Sequence, residues 1–192
     1  MASSVLKPLA LALAFALIAG ASVQTLALAA AVDGPRRIEV GFSPEGSAQK
    51  LVLRTIEVAS SSIRLSAYVF TNPDVTRALI AAKQRGVDVA VVADHRSNLQ
   101  EQRTSAARHA LTLLAKAGIP TRTVDAYAIH HDKFMVVDGM TVETGSFNFT
   151  AAAAKSNSEN ALVVWNAPAL AETYLNHWQS RWDQGIAFKA KY

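Results

Sequence analysis

The chain has no cysteine, so no disulfide can staple it and a folded domain must be held by its core alone. Charge is almost missing from the start, where Lys7 is the only charged residue before Asp33. The apolar run from Leu9 to Ile18 is too short to cross a bilayer. Aromatic residues make up only 7% of the chain and form no cluster of the kind an interfacial membrane helix presents, which argues against a lipid-facing surface. No internal repeat and no low-complexity linker follows the first stretch.

What remains is 192 residues, 51% hydrophobic and 18% charged, enough for one well-filled core and too few for two full domains. Lys7, the apolar run and the Ala-rich stretch behind it read together as a secretory signal peptide over 1–31, with cleavage after Ala21, Ala29 or Ala31. That leaves a domain over 32–192 and implies export, to a bacterial periplasm or beyond, with no stable membrane association after cleavage. Removing Lys7 leaves 18 basic residues against 15 acidic ones, a surplus that permits a polyanionic partner without demanding one.

From Arg36 onward strand-like and helix-like segments alternate. Ile38 to Phe42 reads as a strand broken by Ser43-Pro44-Glu45-Gly46. Ala48, Leu51, Val52, Thr55, Ile56 and Ala59 then recur at the spacing of a helix face. Ile63 to Phe70 is the next strand, and Asn72-Pro73 caps a helix that Gly86 closes. Val87 to Ala93 has the composition of a strand covered on both faces. A long helix is expected from Asn98 to Ala117, a strand over Ala161 to Trp165, and a closing helix from Ala167 to Trp182, with Trp178 and Trp182 packing on the core. The sum is an α/β fold, a layered domain whose central mixed β-sheet is flanked by helices.

The segment from His130 to Asn148 carries the chemistry. Two apolar runs joined by Asp138-Gly139 predict a hairpin. A two-residue loop pairs Met135 with Val142, Lys133 with Thr144 and His131 with Ser146, so His131, Lys133 and Ser146 should share one face, with Asn148 of the same parity. An imidazole beside an ammonium, a hydroxyl and a carboxamide suits a phosphodiester: the imidazole attacks phosphorus or moves a proton, and the others hold the oxygens. His130-His131-Asp132 looks like a metal-ligand cluster, but adjacent strand residues point apart and Lys133 would repel a cation, so no metal and no other cofactor is expected.

His131-x-Lys133, then Asp138, then Gly145-Ser146-x-Asn148, with these gaps, resembles the signature of the phospholipase D superfamily. Ser158-Glu159-Asn160 is similar to the glutamate-bearing segment that follows it. The likeness extends through Phe42-Ser43-Pro44, Ser61 to Asn72 and Arg85 to Val89, toward the short single-motif bacterial endonucleases of the Nuc type.

The resemblance implies a phospholipase-D-like domain with one catalytic motif per chain. His131 inherits the role of the nucleophile that becomes phosphorylated, Lys133, Ser146 and Asn148 inherit phosphate binding, and Glu159 that of the carboxylate supporting the histidine. Asp138 and Gly145 read as structural members of the motif, and His130 as a neighbour rather than a catalyst. Because His95, His109 and His177 lack a lysine two places later, the chain holds one copy of a site that needs two histidines, which implies a homodimer with a composite active site. The implied substrate is DNA or RNA, with Arg96, Arg103, Arg108 and Arg122 as basic surface; the competing reading is a lipid phosphodiesterase of the phospholipase D kind.

Overall fold

The computed structural model describes residues 35–101 and 105–190; the signal peptide expected over 1–31 and Arg103 lie outside the described residues. The first half runs β1 (Arg37–Ser43), α1 (Ser47–Glu57), β2 (Ser62–Ala67), α2 (Pro73–Gln84) and β3 (Asp88–Asp94). After a short π-helical turn at Arg96–Gln100 come α3 (Ser105–Lys116), β4 (Thr121–Val124), β5 (Lys133–Val137), β6 (Thr141–Gly145) and α4 (Ala151–Lys155). β7 (Glu159–Trp165), α5 (Pro168–Gln184) and β8 (Ile186–Ala187) complete the order.

The helices form where periodicity and caps agree. In α1 the buried positions are Ala48, Leu51, Val52, Thr55 and Ile56, the stripe seen in the sequence. Asn72 caps α2, its side chain accepting the N–H groups of Asp74 at 2.9 Å and Val75 at 3.3 Å. Gly86, at φ 94°, supplies the left-handed residue that ends that helix.

The strands form one eight-stranded mixed sheet in the order β1-β7-β6-β5-β2-β3-β4-β8. β2, β3 and β4 are parallel, and every other pair is antiparallel. β3 lies between two cores: Val89, Val91 and Ala93 pack with α1, α2 and α3, while Ala90 and Val92 pack with Val124, Phe134, Val136 and Trp178 beneath α5. Trp178 is buried and stacks on Trp182 with ring centres 4.9 Å apart.

Two expectations need correction. The helix expected to begin at Asn98 is divided, because the buried Asn98 side chain is committed to main-chain groups of another loop. It donates to the carbonyls of Tyr68 and Asp94 and accepts the N–H of Phe70. Among the described residues the regular helix is Ser105–Lys116.

The hairpin register is also shifted by one residue: Phe134 pairs with Thr144, Met135 with Glu143 and Val136 with Val142. Asp138 and Gly139 do form a tight turn with φ 54° and 66°, closed by Met140 N–H on the Val137 carbonyl at 3.1 Å. The Met140 carbonyl, however, accepts the N–H of Ala167 at 2.7 Å, so Thr141 rather than Met140 pairs with Val137. Met140 becomes an extra residue on its strand.

The antiparallel pairing of β5 with β2 places Lys133 opposite Ala67, so β5 begins where β2 ends. β6 ends and β7 begins at the same edge, with Gly145 opposite Ala161. This edge carries the motif residues.

Candidate active site

His131, Lys133, Ser146, Asn148 and Glu159 line one cavity of about 740 Å³, to which α5 contributes Thr173, Tyr174 and His177. The shifted register does not scatter them, because the strands end here. Ser146 and Phe147 both send their N–H to the Asn160 carbonyl at 3.1 Å, so two residues of one chain oppose one of the other. The main chains are close enough that a Cβ on Gly145 would lie 2.3 Å from the Asn160 oxygen, which leaves glycine as the residue that fits.

His131 is exposed and stands just outside the β5 ladder. The Lys133 ammonium donates to the His131 carbonyl at 2.9 Å and lies 3.2 Å from ring Nδ1. Since an ammonium only donates, Nδ1 accepts here and the proton of the neutral ring sits on Nε2. Tyr68 covers both groups, its ring centre 4.5 Å from that of His131 and 5.1 Å from Lys133 Nζ. Burial pushes the Lys133 ammonium below the ordinary lysine value, against the opposing influence of Asp132 and Glu159. A partly desolvated cation beside an imidazole is a strong point charge for a phosphodiester oxygen.

Ser146 Oγ donates to Glu159 Oε2 at 2.6 Å and accepts the Asn160 N–H at 3.0 Å. Asn157 holds the other Glu159 oxygen at 3.0 Å. Glu159 therefore reaches the cavity through Ser146, while the His131 ring is met by Lys133 and Tyr68. The amide oxygen of Asn148 is buried with no hydrogen-bond partner, a polar group in the cavity wall without a protein contact.

His130 and His131 point apart. His130 is buried, with Nε2 2.9 Å from Ser66 Oγ and its backbone N–H on Asp94. Burial lowers its pKa, with Asp132 and Asp94 pulling the other way. Asp138 is remote from the cavity, at the turn. Of the arginines, Arg122 is engaged by the Trp182 carbonyl and ring, and Arg108 by the Leu99 carbonyl. Sequence reasoning missed Tyr68, Asp132 and His177. Asp132 was accessible in principle, since alternation sends it away from its two neighbours, and Thr173 and His177 lie one helical turn apart.

A mixed α/β sheet that gathers a histidine, lysine, serine and asparagine of one motif at its edge defines a phosphodiesterase of the phospholipase D type. The chain belongs to the family described as "Cardiolipin synthase, PLD-like domain", which matches residues 52–182. It is 38% identical over 145 residues to a "Phospholipase D" of Rickettsia bellii, covering 76% of this chain and 69% of that protein. A "Mitochondrial cardiolipin hydrolase" of Xenopus laevis is 31% identical over 126 residues, or 66% of this chain and 57% of that one. Among solved structures, the phospholipase D family member Nuc from Salmonella typhimurium superposes with a TM-score of 0.78 and 53% identity, covering 81% of this chain and 99% of that one.

Proposed function

We propose that this phosphodiesterase is an exported, metal-independent endonuclease that cleaves DNA, and RNA as a second substrate, at a site shared by two subunits. The observation that carries the reading is the single motif copy at an open sheet edge: one His131 with Lys133, Ser146 and Asn148 in one cavity. The 53% identity to Nuc over nearly all of that chain supports placement with the short single-motif members.

Arriving phosphate takes the Lys133 ammonium from the His131 ring, and Ser146 and Asn148 hold its remaining oxygens. A ring nitrogen of His131 bonds to phosphorus as the bond to the leaving oxygen breaks, and His131 of the partner subunit gives that oxygen a proton. Water, deprotonated by the partner's imidazole, then attacks phosphorus, the phosphorus–nitrogen bond breaks, and a phosphate monoester leaves. Glu159, bonded to Ser146, supplies negative charge to the same cavity.

A second subunit is also suggested by β1, where Ile38, Val40 and Phe42 are 62%, 54% and 52% exposed on one strand face. β1 adjoins the site, since Ser43 pairs with Glu159. The lipid reading is favoured by a different observation: Tyr127 and Ile129 are exposed just before the motif, and the matched curated relatives are named for lipid substrates.

Incubating the purified mature protein with supercoiled plasmid in excess EDTA, beside a His131→Ala control, tests the proposal. Nicking that survives chelation and disappears in the variant is expected. Intact plasmid with both proteins, together with release of headgroup from phosphatidylcholine or cardiolipin vesicles by the wild type, would overturn the nuclease reading in favour of the lipid one.

A further inference from the structure

Residues 130–132 carry the nucleophile candidate yet lie outside the sheet, since β5 begins only at Lys133. Side-chain bonds anchor this segment. The His130 N–H is held by Asp94 Oδ2 at 2.9 Å and its ring by Ser66 Oγ at 2.9 Å. Asp132, between His131 and Lys133, turns to the opposite side and meets His177 of α5, whose Nε2 lies 2.8 Å from Asp132 Oδ2. Ser66 Oγ adds a longer contact to the same oxygen at 3.4 Å. Because an ionised carboxylate only accepts, His177 Nε2 is the donor. The His177 ring rests on Phe134 with ring centres 5.9 Å apart.

We propose that His177 is a positioning residue: by holding Asp132 it ties α5 to the segment that carries His131 and Lys133 and so fixes the direction in which both enter the cavity. The proposal rests on the phosphodiesterase activity and is independent of whether the natural substrate is nucleic acid or lipid. The anchors at His130 are interior, whereas Asp132 and His177 both border the cavity, where loss of the bond would let the His131 backbone swing. An ångström of misplacement can lower a rate by about 100-fold.

The experiment measures hydrolysis of bis(4-nitrophenyl) phosphate, a diester with little beyond the phosphate to recognise, by the wild type, His177→Ala, His177→Asn and His177→Gln. The glutamine amide nitrogen reaches the place of Nε2 and keeps the donor; the asparagine amide is too short to do so. In His177→Ala and His177→Asn, kcat should fall about tenfold or more with KM within about twofold, and His177→Gln should recover most of the loss. Asp132→Ala should reproduce His177→Ala, and the double variant should lose no more than either single one.

Unchanged kcat in the alanine variant would overturn the proposal. So would a rise in KM alone, which would make His177 a substrate contact, or a glutamine variant as slow as alanine, which would mean that the imidazole itself carries a proton. If the alanine variant does not fold, the asparagine and glutamine pair decides. The ring resonances of His131 give a readout free of turnover: they should move in His177→Asn and return in His177→Gln, and resonances alike in all variants would count against positioning. Loss of plasmid nicking by the wild type with retained hydrolysis of the small diester would sink the nuclease reading and leave this one standing.

Discussion

The carboxylate of Asp138, at the tip of the β5–β6 turn, accepts the backbone N–H of Ser61 at 2.8 Å although 77 residues separate them. The same carboxylate accepts the N–H groups of Ser60 and Ser62 and the hydroxyls of Ser60 and Ser61. It therefore clamps the hairpin to the start of β2, so that the motif strand and its central neighbour are in register before the cavity is reached.

Replacing Asp138 with alanine should destabilise the fold by about 2–3 kcal/mol, since it strands several donors that now meet a charged acceptor. Asp138→Asn, which keeps one acceptor, should lose less. Burial alone would raise the Asp138 pKa, but the N–H groups of Ser62, Ser61 and Ser60 outweigh it and hold the group below 3.8. The stabilisation is thus present above that value and is lost as pH falls through the lower folded pKa. Urea unfolding of both variants is the measurement. A stability change within about 0.5 kcal/mol for the alanine variant would contradict the clamp.

Among the described residues Lys133 is the cation placed against the His131 ring, and its loss should be felt at phosphorus rather than in folding. Lys133→Met should lower kcat/KM for a phosphodiester by about 100- to 1000-fold, the range for removing one preorganised stabilising donor. Lys133→Arg should not restore the rate, because a planar fork cannot fill the space between His131 and Tyr68 as a compact ammonium does. Steady-state kinetics on both variants checks this. An arginine variant with wild-type turnover would show that charge alone suffices.

The helices and strands with a clear period or a cap were legible in the sequence: α1 from its apolar stripe, α2 from Asn72-Pro73, β3 from its Val and Ala run. β4, β8 and α4 are short, at 4, 2 and 5 residues, and have too few positions to display a period. Asp138-Gly139 announced the hairpin but not its register, which Ala167 sets from another part of the chain by taking the Met140 carbonyl. The motif likewise placed His131, Lys133, Ser146 and Asn148 in one cavity for a reason other than the idealised pairing: the strands end there and the Ser146–Phe147 bulge re-aims the chain. Asp132 and His177, 45 residues apart, became partners only through the packing of α5.

Glu143 makes stability depend on pH from inside the core. It is buried on β6 opposite Met135, its Oε2 is unpartnered, and burial raises its pKa from 4.5 to about 8. The folded chain thus keeps a proton there that the unfolded chain gives up. Stability is fully present below 4.5, declines as pH rises and levels off above about 8. His130, whose pKa burial lowers, acts in the opposite sense below 6.5, so the contribution of Glu143 is isolated by comparison with Glu143→Gln. The stability difference between the two proteins should change steadily across the window. Parallel urea-unfolding profiles would place the proton elsewhere.

The proposed two-subunit site predicts how mixtures of chains behave. If the shared site needs His131 from both subunits, a dimer of one wild-type and one His131→Ala chain is inactive. After the two proteins are unfolded together and refolded in equal amounts, activity per wild-type chain should fall to about half, since random pairing places half of those chains in mixed dimers. Sites complete within one subunit would keep full activity per wild-type chain. The β1 face supplies the companion test. Val40→Asp or Phe42→Asp puts a charge on an exposed apolar strand face without entering the core, so each chain should stay folded, run as a monomer in size-exclusion chromatography with light scattering, and lose turnover. A monomeric variant that keeps its rate on bis(4-nitrophenyl) phosphate would mean that the second His131 is not required and would leave His177, in the same cavity, to carry the proton.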